Sequence, residues 1–183
     1  MVKQQHQTII NQCRDNNAKA QMQLYNLYCK AMFVVANRYV NDSFLAEDIM
    51  QEAFIKAFKN IDRYKNEVPF GAWLKRIVIN QSIDALKKKK LELISMNEET
   101  LRVVDDEDWK VDGTITADEV RSAMNELKEK YRLVLSLYLF EGYDHDEISQ
   151  ILGITANTSR THLLRGKRLL KEKLKSSSYA ARY

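Results

Sequence analysis

The basic side chains near the C-terminus have the types and spacing needed to bind DNA. Between Thr155 and Lys175, arginines and lysines alternate with leucines at helical spacing. Arginine can donate a bidentate pair of hydrogen bonds to a guanine edge, and both basic types neutralise phosphates. The preceding segment, 144–154, begins with an Asp144–Glu147 capping pair, and Gly153 near its end is suited to terminate a helix. Together the two segments predict a helix-turn-helix whose second helix contacts DNA; the alternative is a solvated basic helix in an ordinary bundle.

A second basic segment, 69–90, lies far upstream and predicts another nucleic-acid-facing helix. Pro69 suits its first turn, and the side chains that share one face at helical spacing are Arg76, Asn80, Asp84 and Lys87. An asparagine amide can bind a base edge, and the closing lysine run 87–90 suits phosphates as well as a solvated helix end. Two such helices predict contact with two separated DNA sites.

Charge separates the two basic segments. Residues 91–119 contain ten acidic and two basic side chains, whereas the whole chain has a net charge of +4. The acidic stretch therefore predicts a linker, and the basic flanking segments indicate nucleic acid as their partner. Several apolar side chains make the linker less polar than a free tether.

Composition predicts an all-α protein. The 183 residues are 45% hydrophobic and include 5 Gly and 1 Pro, too few for the turns of an all-β fold. Helical periodicity predicts helices from Ala18 to about Tyr39, from Ser43 to about Ile61 and from Thr116 to about Phe140. Residues 1–17 are expected to form a short polar helix or a frayed lead-in, 60–68 a polar loop and 176–183 a loose tail.

No catalytic, cofactor or metal site is expected. His6, His145 and His162 lie on unrelated elements, and no phosphate-binding loop or nucleophile motif occurs. Cys13 and Cys29 match no metal or redox spacing and predict reduced thiols. The sequence shows neither a signal peptide nor an apolar run of about 18 residues, so a cytoplasmic protein without membrane insertion is expected.

Two sets of motifs, in this order, resemble the extracytoplasmic-function sigma factors of the sigma-70 family. Residues 46–54 (AEDIMQEAF), 70–80 (FGAWLKRIVIN) and 83–86 are similar to sigma region 2. Residues 127–174, with Glu147-Ile148, 151–154 (ILGI) and 165–169 (RGKRL), are similar to sigma region 4.

This resemblance implies two small helical domains joined by the acidic linker. Residues 1–90 would form a three-to-four-helix region 2 domain, 91–116 the linker, and 117–183 the region 4 helix-turn-helix domain. The protein would bind core RNA polymerase, recognise the minus-10 and minus-35 promoter elements and assist promoter opening. Its expected partners are core RNA polymerase, promoter DNA and an anti-sigma factor, and the free protein is expected to be a monomer.

Residue roles follow from the same resemblance. The polar stripe Asp48, Gln51 and Glu52, which by spacing alone is an ordinary wet face, would bind polymerase. The minus-10 element would meet the 62–65 loop and the α-helix after it, through Arg63, Tyr64, Arg76, Asn80 and Lys87. The minus-35 element would meet Thr158, Arg160, Thr161, Leu164, Arg165, Lys167 and Arg168.

Departures from the family pattern occur on both helices of the helix-turn-helix. Ser149 replaces a common alanine on the first helix. On the second, Ser159 stands where an apolar residue is usual, so looser packing is expected there, and Gly166 lowers helix propensity. Two other functions remain open on the residues alone. A helix-turn-helix regulator without polymerase affinity would bind a symmetric duplex site tightly, and a helical adaptor would show no salt-dependent DNA binding.

Overall fold

The computed structural model describes residues 2–92 and 115–180, and within these ranges every regular element is helical. The chain divides into two compact units, Met1–Ile94 and Ser95–Tyr183. The all-α prediction is confirmed. The predicted linker lies mostly outside the described residues.

The first unit contains four α-helices. These are α1 (Val2–Arg14), α2 (Ala18–Val40), α3 (Ser43–Lys59) and α4 (Phe70–Glu92), with a short 3-10 helix at Ile61–Arg63. Helix α2 packs against α1, α3 and α4, and α3 also packs against α4. The α2–α3 junction follows the predicted stop and restart: Asn41 is left-handed at φ 52°, and the Asp42 carboxylate accepts hydrogen bonds from the Phe44 and Leu45 amides.

The core of the first unit comes from the helical apolar stripes, with three exceptions on α2. Leu24 and Tyr39 are fully buried, and Leu74 and Val78 of α4 meet the same core. Leu27, Ala31 and Val34 belong to the same apolar stripe of α2 by their spacing, but they are exposed.

The second unit is built around α8. Its helices are α5 (Ala117–Asn125), α6 (Glu129–Leu135), a π-helical turn (Ser136–Phe140), α7 (His145–Leu152) and α8 (Ala156–Ala180). Helices α5, α6 and α7 all pack against α8. Thr116 forms the predicted capping box with Glu119.

Two sequence predictions for this unit were wrong. The single helix expected from Thr116 to Phe140 is interrupted between Asn125 and Glu129, where Lys128 leaves the helical conformation (ψ 140°), and Leu127 and Tyr131 are both buried. The expected loose tail is helical through Ala180, since α8 continues past Lys175.

Candidate nucleic-acid interface

The helix-turn-helix of the second unit is formed by α7, Gly153 and α8. The Asp144 carboxylate accepts hydrogen bonds from the Asp146 and Glu147 amides, which fixes the start of α7. Gly153 ends it in the left-handed region at φ 69°, where a side chain would be strained. The Thr155 hydroxyl accepts from the Thr158 amide, so α8 begins at the predicted position.

The predicted DNA-contacting residues of α8 lie opposite its buried side. Ser159, Leu163 and Leu170 are buried, and Gly166 lies on the same side. A helical projection at 100° per residue places the other side around Thr161 and Arg168. The predicted residues range from half-buried to exposed: Thr158, Arg160, Thr161, Leu164, Arg165, Lys167 and Arg168. Arg160 and Lys167 lie at one edge, next to the buried side.

Not every side chain on this face is equally available. Arg160 is exposed, whereas Arg165 is half-buried. The Arg168 Nε lies 3.7 Å from a Glu172 carboxylate oxygen in an exposed ion pair. The Thr161 hydroxyl donates to the Asn157 carbonyl at 3.0 Å. Exposed Asn157 lies on the same face and was missed by sequence reasoning, although its spacing from Thr161 and Leu164 would have included it.

The expectation of loose packing on the buried side of α8 was wrong. Ser159 is fully buried, and its hydroxyl lies 2.9 Å from Nδ1 of His145. A Cβ atom at Gly166 would lie only 2.9 Å from Cδ1 of Leu135 and 3.3 Å from Cβ of Tyr131. Glycine therefore allows α6 and α8 to approach closely, which helix propensity alone cannot reveal.

The polar face predicted on α4 is present in the first unit. Arg76, Asn80 and Lys87 are exposed on one side, while Leu74, Val78, Ile79, Ser82, Ile83 and Leu86 are buried on the other. The Asn80 amide therefore faces solvent although Val78 and Ile79 beside it are buried, and this exposure is what contact with a base requires.

The loop before α4 differs from the expectation at one residue. Arg63, Lys65, Asn66 and Glu67 are exposed, but Tyr64 is only 5% exposed. Its ring packs edge-on to Phe70 at 5.5 Å between centroids and against Trp73 at 5.3 Å. Tyr64 thus offers no free face for stacking a base in this conformation, because it anchors the loop in the core.

The burial of Tyr64 also affects the pKa of its hydroxyl. Its hydroxyl donates to the Val68 carbonyl at 2.7 Å. Burial, with a smaller contribution from Tyr28, raises the pKa of Tyr64 above its ordinary value of 10. Tyr64 therefore remains a neutral hydrogen-bond donor at physiological pH.

The acidic stripe of α3 lies on the exposed side of the first unit. Asp48, Gln51 and Glu52 face solvent, and the opposite side of α3 is buried through Ile49, Ala53 and Phe54. Phe44 is 83% exposed and Ile55 is 54% exposed, each one helical step from the stripe. Exposed large apolar side chains beside a polar stripe mark a candidate protein-binding surface. Phe44 and Ile55 were missed, although their helical spacing was available.

Comparison with known families assigns both units. A family model for Sigma-70 region 2 matches residues 24–92, and one for Sigma-70, region 4 matches residues 117–170. The RNA polymerase sigma factor SigV of Bacillus subtilis is 30% identical over 142 residues, which cover 76% of this chain and 82% of that protein.

The chain belongs to the extracytoplasmic-function RNA polymerase sigma factors of the sigma-70 family. The ECF RNA polymerase sigma factor SigW of B. subtilis is 29% identical over 91% of this chain and 95% of its own length. The family consists of transcription initiation factors and not of enzymes.

Solved structures support the sigma-factor fold. The sigma factor RpoE of Bartonella quintana, determined in complex with the anti-sigma factor NepR, has a TM-score of 0.52 and 21% identity, and the match covers 84% of this chain and 96% of that one. CnrH, determined with the cytosolic domain of CnrY, has a TM-score of 0.51 and 22% identity over 92% of this chain and 96% of its own.

Two further features of this sigma factor concern ions and membranes. Within residues 2–92 and 115–180, no three His, Cys, Asp or Glu side chains are grouped so that they could hold a metal ion. The same part of the chain has no helix with the length and apolar character needed to span a membrane.

Proposed function

We propose that this sigma factor binds core RNA polymerase through the exposed stripe of α3 and reads a promoter through α4 and α8. The observation that carries the proposal is that each helix has an exposed polar group opposite or beside its buried side: Asp48, Gln51 and Glu52 on α3, Arg76, Asn80 and Lys87 on α4, and Arg160 and Arg168 on α8. Because each helix packs against the core of its unit, the positions of the exposed side chains relative to one another are fixed.

The α3 stripe suits a basic or amide-rich polymerase surface. Asp48 and Glu52 carry negative charge, whereas the neighbouring α4 face carries Arg76 and Lys87 with one exposed acid, Asp84. The acidic face would repel DNA and the basic face would attract it, so the two faces favour different partners. Phe44 and Ile55 add apolar area that would be removed from water on docking.

The minus-10 element is assigned to α4 and the loop before it. Asn80 can accept and donate hydrogen bonds to a base edge, and Arg63, Arg76 and Lys87 can bind phosphates on either side. The loop would receive a base that has left the stack. Tyr64 would serve as the support of this loop rather than as a stacking surface, because its ring is buried.

The minus-35 element is assigned to α8 of the second unit. Thr158, Arg160, Thr161, Leu164 and Arg165 occupy the N-terminal half, which in a helix-turn-helix contacts base edges. Lys167 and Arg168 follow one turn later and suit phosphates.

Both DNA readers would act through their linkage to each other and to polymerase. We retain the division into residues 1–90, an acidic linker at 91–116 and residues 117–183. Two weak DNA contacts that are tethered to one polymerase gain affinity through effective concentration. Since bacterial RNA polymerase works in the cytoplasm, the same location follows for this chain. An anti-sigma factor is an expected partner, because both structural relatives described above were determined with one or with a partner's cytosolic domain.

The proposal is tested by size-exclusion chromatography with bacterial core RNA polymerase. The unmodified protein should co-elute as a one-to-one complex and then protect promoter DNA at two elements. Asp48→Lys should weaken co-elution and Asp48→Lys/Glu52→Lys should abolish it, whereas Asp15→Lys, which makes the same charge change as Asp48→Lys just after the end of α1, should not affect it. Separate elution of the unmodified protein, together with tight duplex binding by the free protein, would support a regulator without polymerase affinity.

A further inference from the structure

Helix α1 lies outside the segment that matches the region 2 family model, yet it is built into the first unit. The match begins at residue 24, whereas α1 spans Val2–Arg14. Ile10 and Cys13 are buried, and α1 packs against both α2 and the 3-10 helix at Ile61–Arg63. The N-terminal helix therefore contacts the loop that precedes α4.

Arg14, the last residue of α1, binds the backbone of that loop. Its Nη2 donates to the Tyr64 carbonyl oxygen at 2.8 Å, and its Nη1 donates to Oδ1 of Asn11 at 2.8 Å. Asn11 also accepts from Nε2 of Gln7 at 3.2 Å. The planar guanidinium can make both bonds at once, because its donors form a rigid fork. Asn11 thus orients the guanidinium toward the carbonyl.

The rest of the loop is held on its inner side. Ile61 and Tyr64 are buried, and the Tyr64 hydroxyl donates to the Val68 carbonyl. Between these anchors Asn66 adopts the left-handed backbone at φ 61°. The side chains of Lys65, Asn66 and Glu67 are therefore exposed. The backbone on either side of them is held by hydrogen bonds: Arg14 binds the Tyr64 carbonyl, and the Tyr64 hydroxyl binds the Val68 carbonyl.

We propose that Arg14 is a positioning residue for recognition of the minus-10 element, so that α1 forms part of the base-reading apparatus. The inference rests on the proposed function of the loop. Arg14 acts by fixing the peptide that joins Tyr64 to Lys65, which sets the direction in which the exposed side chains leave the loop. If the loop were not held in place before DNA binding, selectivity for the minus-10 base would fall, because small displacements weaken directional hydrogen bonds.

Promoter selectivity is the first measurement. Open-complex formation by the reconstituted polymerase holoenzyme is compared on two promoters that differ at one minus-10 position. Arg14→Ala should lower the ratio between the two promoters by on the order of fivefold, as loss of a charge-assisted hydrogen bond to a partly exposed site suggests. Arg14→Lys should give an intermediate ratio, because an ammonium group keeps the charge but cannot reproduce the fork.

A stability control separates positioning from general destabilisation. Ile49→Val removes one buried methylene-sized group from α3 and leaves the Arg14 contact intact. This variant should lower thermal stability without changing the promoter ratio. If Arg14→Ala changed the ratio no more than Ile49→Val does, the inference would be overturned.

A second measurement needs neither polymerase nor DNA. In the free full-length protein, hydrogen exchange of the Arg63 and Tyr64 amides, which donate to the Asn60 and Ile61 carbonyls, should speed up in Arg14→Ala and less so in Arg14→Lys. Unchanged exchange there would overturn the inference. Failure of the underlying function looks different: if Lys65→Ala, Asn66→Ala and Asn80→Ala all left minus-10 selectivity intact, the loop and α4 would not be the base reader at all.

Discussion

Nδ1 of His145 lies 2.9 Å from Oγ of Ser159, and this contact joins the two helices of the helix-turn-helix. Ser159 is fully buried, and the His145 ring stacks on Tyr138 at 5.1 Å with an interplanar angle of 23°. Where the family usually has an apolar residue, this chain has a buried hydroxyl with an imidazole partner. The simplest arrangement has Ser159 donating to an unprotonated Nδ1, which satisfies both groups.

The first prediction is that His145 and Ser159 are energetically coupled. Ser159→Ala should leave Nδ1 without its partner, and His145→Phe should leave a buried hydroxyl while keeping a ring over Tyr138. Each change is expected to lower the local stability of α7 and α8 by about 1 kcal/mol. The double variant should lose less than the sum of the two, because both ends of the hydrogen bond are removed together.

Amide exchange of the slowest residues in α7 and α8 measures this coupling. Ile148→Val, a buried change in the same unit that touches neither partner's hydrogen bond, serves as a control and should be additive with Ser159→Ala. If the losses of stability in the His145 and Ser159 single variants simply added up in the double variant, the 2.9 Å contact would contribute nothing to stability.

The second prediction is that the helix-turn-helix loses stability as the pH falls below about 6.5. Burial lowers the pKa of His145 from its ordinary value of 6.5; Arg160 and Lys167 of α8 lower it further, while Asp144 and Asp146 of α7 raise it. Protonation would also turn Nδ1 into a donor and deprive the Ser159 hydroxyl of its acceptor. Below 6.5 the unfolded chain therefore binds more protons than the folded chain, and the free energy of unfolding rises with pH across this window.

NMR titration of the three histidines gives the direct measurement. The His145 ring should titrate below 6.5. The free energy of opening of α7 and α8 should depend less on pH in His145→Phe than in the unmodified protein between about pH 5 and 7. A His145 pKa above 6.5 would contradict the prediction.

Sequence reasoning succeeded where a single element carries the signal. Helical periodicity and caps placed α2, α3, α4, α7 and the start of α8, and they predicted the exposed α4 face around Asn80. It failed where a contact joins residues on two different elements. The burial of Tyr64 depends on Phe70 and Trp73, the pairing of Ser159 depends on His145, and the role of Arg14 depends on a carbonyl fifty residues away. Periodicity assigns a side to a residue but does not identify what packs there.

The third prediction concerns Gly166. Alanine has the higher helix propensity by about 1 kcal/mol, so Gly166→Ala would stabilise an isolated helix. In this protein the new Cβ would lie 2.9 Å from Cδ1 and 3.1 Å from Cγ of fully buried Leu135. Overpacking costs about 1–3 kcal/mol, so the variant should be less stable than the unmodified protein or at most equal to it.

Thermal unfolding of Gly166→Ala with and without Leu135→Ala distinguishes these two effects. Leu135→Ala alone should be destabilising, because it opens a cavity. Adding Gly166→Ala to it should then be neutral or stabilising, since the clash has been removed and only the helix propensity remains. Destabilisation of the same size in both backgrounds would show that the close approach of α6 and α8 is not the cause.

The fourth prediction separates the two DNA readers. Asn80→Ala should relax selectivity at the minus-10 element while binding to polymerase persists, because Asn80 lies on α4 and the proposed polymerase stripe lies on α3. Arg165→Ala should weaken use of the minus-35 element by roughly 1–3 kcal/mol, the usual effect of losing a base contact. Arg168→Ala is the matched control on α8. Its guanidinium is exposed and paired with Glu172, so its loss should weaken binding to all sequences alike and reduce the salt dependence.

Transcription from promoters altered at one element at a time measures both effects. Each single-residue change should alter the sequence preference at its own element and leave the preference at the other unchanged, because the two residues belong to separate units. If Arg165→Ala and Arg168→Ala reduced transcription from every promoter by the same factor, Arg165 would be a phosphate contact. Base reading on α8 would then be assigned to its more N-terminal residues, among which Asn157 and Arg160 are exposed.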